Sequence, residues 1–141
     1  MSRLRLPNGD DHPEAARKHL LDAETLLASQ RADGAAYLSG YVAECALKTL
    51  FVYETGKPLS GHDYQTLVSQ VNAVATVAGA KAAKYFGPRA RGVARSALRD
   101  WTPEMRYRAA SMTQADASAW HAEAESIFRE TVQQMRLDGV I

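Results

Sequence analysis

The sequence predicts an all-α protein, an up-and-down four-helix bundle with one or two extra short helices. Three observations carry this. Apolar residues recur at helical spacing in four separate stretches. No segment sustains the period-2 alternation of a half-buried strand. The breaks between stretches are short and rich in Gly, Pro, Asn and Asp, which favours antiparallel neighbours. At 141 residues the chain fits one domain. Residues 12–141 form it, preceded by an irregular lead-in at residues 1–11.

The lead-in turns around Pro7, Asn8 and Gly9. The first helix starts at Asp11 or His12. Pro13 suits its first turn, where a missing N–H costs nothing, and Glu14 complements the positive helix end. Ala16, Leu20, Ala23 and Leu27, with Leu26 beside them, carry it to about Gln30. Asp33 is placed to cap the second helix. That helix, Asp33 to Tyr53, is apolar on nearly every side, the mark of a helix buried among others. Its small residues Gly34, Ala35, Ala36, Ser39, Gly40 and Ala43 allow close approach. Gly40 costs about 1 kcal/mol against alanine in mid-helix, so close packing is its justification. Gly56 stops the helix and Pro58 blocks its continuation.

Gly61-His62-Asp63-Tyr64 turns into a third helix, capped by Asp63 or His62, with Tyr64, Leu67, Val68, Val71, Val74 and Ala75 as its apolar stripe. Gly79 ends or bends it, and a short helix over Ala80 to Phe86 follows. Gly87-Pro88 breaks the chain again. Arg89 to Asp100 reads as a short helix with Arg91, Arg95 and Arg99 on one face. After Trp101-Thr102-Pro103, residues 104–108 read as loop or a single turn. Thr113 with Asp116 resembles a capping box. The last helix runs from Gln114 to about Arg136, with Ala117, Trp120, Ala124, Ile127 or Phe128, Thr131 and Met135 inward, and Gly139 follows it.

Composition is that of an ordinary globular chain, 46% hydrophobic and 23% charged. Cys45 is the single cysteine, so there is no internal disulfide, and its place in the apolar helix makes it a small buried hydrophobe. The N-terminus has no apolar run after its arginines, so no signal peptide is expected, and no stretch is apolar and long enough for a membrane helix. A cytoplasmic setting is expected. Net charge is +1, but residues 81–108 hold eight basic and two acidic residues, leaving −5 on the rest. The chain is polarised.

The second helix carries the most pointed chemistry. Glu44 and Lys48 lie four residues apart on one face, continued by Tyr37 and Tyr41. A simple pair on an exposed strip would contribute only about 0.2–0.5 kcal/mol. The alternative is that Glu44 faces a cleft and meets an arginine from elsewhere. His62 is either an exposed acid–base group or part of a turn and cap. Arg91, Arg95 and Arg99 are either a phosphate-tracking face or a solvated one. Trp101, Arg106, Tyr107 and Arg108 combine flat rings with guanidinium groups, types that stack on bases and grip phosphates, or else mark a buried anchor with surface arginines. His12, His19, His62 and His121 are scattered without zinc-type spacing, so no metal site is expected. No phosphate-binding glycine loop occurs, and no cofactor is expected.

Three stretches together resemble a HEPN domain, a compact helical domain of higher eukaryotes and prokaryotes. Ala36-Tyr37-Leu38-Ser39-Gly40-Tyr41-Val42-Ala43-Glu44-Cys45-Ala46-Leu47-Lys48 is similar to the family's long second helix. Gly61-His62-Asp63-Tyr64 with Leu67 resembles the opening of its next helix. Trp101, Pro103, Glu104, Arg106 and Tyr107 resemble a stretch of one prokaryotic branch. The resemblance spans residues 12–136. It implies a four- or five-helix bundle, a homodimer with a cleft near its two-fold axis, and a nucleotidyltransferase partner of the toxin–antitoxin kind. Many members are metal-independent RNases that use an arginine followed four to six residues later by a histidine on a late helix.

That pair is missing here. No histidine follows Arg99, Arg106 or Arg108 in the required window, and the formal match of Arg5 with His12 spans Pro7-Asn8-Gly9 and cannot share a helical face. The resemblance therefore implies a non-catalytic dimer that binds a nucleotide, nucleic acid or a nucleotidyltransferase. Glu44, Lys48, Tyr41, Arg106, Tyr107 and His62 are its cleft candidates, and Arg91, Arg95, Arg99 and Arg108 its phosphate contacts. The alternative is an RNase toxin with an atypical set, such as Arg106 with His62.

Overall fold

A computed structural model describes residues 1–141. It contains helices and no strand. The elements are α1 (His12–Ala28), α2 (Ala32–Thr55), α3 (Tyr64–Ala75), α4 (Pro88–Arg91), α5 (Gln114–Phe128) and α6 (Gln134–Leu137). A π-helical turn, Arg129–Gln133, joins α5 to α6, and 3-10 turns occupy Ala83–Tyr85, Val93–Arg95 and Pro103–Tyr107. α2 is the central element. It packs against α1, α3 and α5, while α1 also meets α5. α3 rests on α2 and on the Val93–Arg95 turn, so the bundle is a three-helix core with α3 alongside. No helix is long and apolar enough to cross a membrane.

Most ends follow local rules. Asp11 caps α1, accepting from the Glu14 N–H at 3.4 Å, and also holds the lead-in through Ser2 N and Oγ at 2.7 Å each. α2 ends at Gly56, whose φ of 70° is the left-handed conformation that glycine adopts freely. Asp63 caps α3, accepting from the Thr66 N–H at 2.9 Å. Thr113 caps α5, accepting from the Asp116 N–H at 3.0 Å.

Four expectations need correction. Asp33 does not cap α2, which begins at Ala32 with Arg31 at the boundary. α1 stops at Ala28, and the Arg31 N–H closes on Leu26 O at 2.8 Å, so the connection is too tight to leave a cap position before Asp33. The Asp33 carboxylate instead accepts from the N–H groups of Ser111 (2.9 Å) and Met112 (3.2 Å), fastening the approach to α5. Second, the short helix over 80–86 is only the 3-10 turn Ala83–Tyr85, and α3 has already ended at Ala75, ahead of Gly79.

Third, Arg89 to Asp100 is not one helix. Pro88 begins α4 and Gly92 ends it one turn later. Arg91 folds back, donating from Nε to Phe86 O at 2.6 Å with its guanidinium 4.4 Å over the Phe86 ring. Arg91, Arg95 and Arg99 therefore share no helical face. Fourth, the last helix is interrupted by the π-helical turn. Ile127, Phe128, Thr131, Val132 and Met135 are all buried, so both Ile127 and Phe128 face inward rather than one of them.

The irregular segment after α4 is seated on α2 by Trp101. A Cβ built at Gly40 would fall inside the indole ring, so only glycine lets it lie there. The indole N–H donates to Tyr37 O at 2.9 Å, and Tyr64 stacks on the other side at 5.3 Å while its hydroxyl donates to Gly40 O at 2.7 Å. Gly40→Ala gains about 1 kcal/mol of helix propensity, but it must expel the ring and break both bonds. The variant is expected to be less stable by about 1–3 kcal/mol, overpacking outweighing propensity, as read from the urea midpoint.

Candidate functional site

The site grows from Glu44, whose carboxylate points inward from α2 and is 4% exposed. An ionised carboxylate so placed needs partners on both oxygens. Oε1 accepts from Lys48 Nζ at 2.8 Å, and Oε2 lies 2.8 Å from His62 Nδ1. A carboxylate only accepts, so Nδ1 carries the proton and Nε2 is left free. The His62 side chain is 54% exposed, which puts that nitrogen at the surface. Glu44 thus meets Lys48 and His62, not Arg106. The Glu44–Lys48 pair is buried, so it is not the weak surface pair that spacing alone allowed. Removing one partner of such a pair costs about 3–5 kcal/mol.

Beside this pair lies an aromatic wall. The Tyr37 and Tyr41 hydroxyls are 3.2 Å apart, and Tyr41 meets Trp101 edge-on at 4.8 Å, His19 at 5.5 Å and His62 at 6.4 Å. Burial, followed by the Tyr37 hydroxyl, pushes the Tyr41 phenol up to about 12. The Pro103–Tyr107 turn brings Arg106 to the same place. Its guanidinium lies 4.7 Å over the Tyr107 ring, and the Tyr107 and then Tyr37 phenols raise its pKa. Tyr107 itself is 77% exposed. Glu104 completes the rim. Its own backbone N–H holds its carboxyl below the usual range, and Arg106 and His62 add to this. Of the six cleft candidates, Tyr41, His62 and Arg106 thus come together at the surface with Tyr107 beside Arg106, and Glu44 and Lys48 lie buried beneath.

Arg95 and Arg99 lie beyond Trp101. They line a separate cleft of about 180 Å³ with Asp63, Tyr64, Gln65, Ala94 and the indole. Arg91 is not part of it, and Arg108 is exposed beyond Tyr107. Cys45 is buried, its thiol pushed up to about 12 by that burial, so it is inert as a nucleophile.

Two residues that the sequence reading weighed only as metal ligands also lie here. His12 and His19 fall on one stripe of α1 with the fully buried Ala16 and Ala23. Those alanines let α2 close in, bringing His12 near Lys48 and Glu44 and His19 against Tyr41. The stripe itself was the available signal, because it places histidines opposite the one charged face of α2. No three His, Cys, Asp or Glu side chains converge to hold a metal ion.

Burial lowers the pKa of both histidines, with Lys48 adding at His12 and Lys18 at His19. Below their ordinary value of about 6.5 the unfolded chain binds protons that the folded chain refuses. Their contribution is thus complete above that pH and falls as pH drops through the folded values. Denaturation midpoints measured from pH 7.5 to 5 are expected to decline, and His12→Gln with His19→Gln should flatten the decline.

Comparison with known proteins comes down to one match. No curated protein and no solved structure matches the chain. The profile of the HEPN domain matches residues 10–135, nearly the whole bundle from the α1 cap to α6. The chain belongs to the HEPN domain family.

Proposed function

We propose that the protein binds RNA or a nucleotide on the face shared by Tyr41, His62, Arg106 and Tyr107. The observation that carries this is the Glu44–His62 bond, which holds an imidazole at the surface beside an exposed Arg106–Tyr107 pair. A guanidinium offers forked donors to a phosphate, and an exposed tyrosine offers a stacking surface to a base. Lys48 holds Glu44 from below, and Arg95 and Arg99 supply further phosphate contacts across Trp101. In this reading the chain acts in the cytoplasm as a homodimer without catalysis of its own. Its partner is a nucleotidyltransferase, in a toxin–antitoxin-like or accessory role.

The same bond favours a second reading, a metal-independent RNase. His62 Nε2 would take the proton of a ribose 2′-hydroxyl, whose oxygen attacks the adjacent phosphorus. The bond to the 5′-oxygen breaks, that oxygen takes a proton from water, and Arg106 offsets the charge on phosphorus.

Fluorescence anisotropy with a labelled single-stranded oligoribonucleotide at low salt, followed by gels of the same RNA in EDTA, separates the readings. Binding weakened roughly tenfold in Arg106→Ala, with intact RNA, supports the first. Cleavage abolished in His62→Ala supports the second. Absence of both binding and cleavage, with no nucleotidyltransferase recovered on co-expression, refutes both.

A further inference from the structure

We propose that the cleft beyond Trp101 recognises a phosphate together with a neighbouring ribose hydroxyl, and so distinguishes ribonucleotides from deoxyribonucleotides. This rests on the nucleotide-binding reading and names the substrate class. The cleft is lined by two guanidinium groups, Arg95 and Arg99, and one carboxylate, Asp63. Neither arginine pairs with Asp63. The acid that Arg99 approaches is Asp100, at 4.0 Å between exposed side chains, and Arg99 also donates to Ser96 O at 3.3 Å. The basic groups thus remain open to an anion.

Asp63 sets the second requirement. Its Oδ2 accepts both cap bonds, from the Thr66 N–H at 2.9 Å and the Thr66 hydroxyl at 2.8 Å. Oδ1 is left open in an exposed residue on the wall of the cleft. A carboxylate oxygen accepts and cannot donate, and it repels an anion laid against it. A bare phosphate satisfies the arginines and is opposed by Asp63. A ligand that satisfies all three presents an anion on one side and a hydroxyl donor on the other. The 3′-phosphate and 2′-hydroxyl of a ribonucleotide sit side by side in this way, and the 2′-hydroxyl is what separates RNA from DNA. At about 180 Å³ the cleft admits a phosphate and part of a sugar rather than a whole nucleotide. The base is left to the rings on the far side of Trp101.

The α3 cap makes a clean test possible, because asparagine and serine cap helices about as well as aspartate. Asp63→Asn and Asp63→Ser remove the open carboxylate and keep the helix, as checked by their melting curves. Binding of labelled RNA and DNA octamers of one sequence is measured at low salt. Wild type should prefer RNA by roughly tenfold, the discrimination that one hydrogen bond to a charged group provides. Either Asp63 variant should bring the ratio towards one, partly by tighter DNA binding as the repulsion goes. Arg95→Ala with Arg99→Ala should weaken both polymers. Competition by adenosine 3′-monophosphate at concentrations that leave 2′-deoxyadenosine 3′-monophosphate inert supports the inference with a free nucleotide as ligand. Competition by oligoribonucleotide alone supports it with a chain as ligand. A wild-type ratio of one, or a ratio unchanged in folded Asp63 variants, overturns the inference while leaving nucleotide binding intact. No binding of either polymer or nucleotide overturns both.

Discussion

The seat of Trp101 on Gly40 is the constraint on which the candidate face depends. Residues 92–108 form no helix longer than a 3-10 turn, so they cannot hold a position through their own backbone. They borrow rigidity from α2. The missing side chain at Gly40 makes the seat, the Tyr37 carbonyl takes the indole N–H, and Tyr64 closes the other side. Everything the irregular segment carries is placed by that contact. Arg106, with Tyr107 beside it, comes close to Tyr37 and Tyr41. Arg95 and Arg99 line a cleft with Asp63 and the indole itself. Close packing of an aromatic ring is well suited to this, because interiors resist small displacements.

The second dependence is electrostatic. Glu44 is a buried carboxylate, and a group of that kind is tolerated only with both oxygens engaged. Lys48 comes from the same helix and His62 from the turn before α3. The bond therefore joins two elements and fixes the orientation of a surface imidazole. α1 supports the arrangement from behind, its alanines allowing the approach and its histidines remaining neutral beside the charged pair. The placement of the surface imidazole thus rests on charge satisfied inside the bundle.

Much of this was legible in the sequence where the rule was local. The length of α2, its stop at Gly56, the caps at Asp63 and Thr113 and the gathering of polar residues on its Glu44 face all follow from spacing and residue type. The close-packing role of Gly40 was legible too, although its partner proved to be a tryptophan from an irregular segment. Contacts across the chain were not legible. Glu44 and His62 are 18 residues apart with a turn between them, and no periodicity joins them. The arginine stripe failed for a related reason. Four-residue spacing implies a face only while the helix lasts, and Gly92 ended it. Asp33 looked like a cap because its residue type fits one, but the tight α1–α2 turn gave that carboxylate to Ser111 and Met112 instead. The π-helical turn before α6 answers to tertiary packing and has no local signature.

The most direct test of the account is to observe the two ring nitrogens of His62 by NMR at neutral pH, with and without a short oligoribonucleotide. The account predicts a proton fixed on Nδ1 by Glu44, lost in Glu44→Gln, and a shift at Nε2 when RNA is added. A ring that carries its proton on Nε2, is indifferent to Glu44→Gln and does not respond to RNA would contradict it.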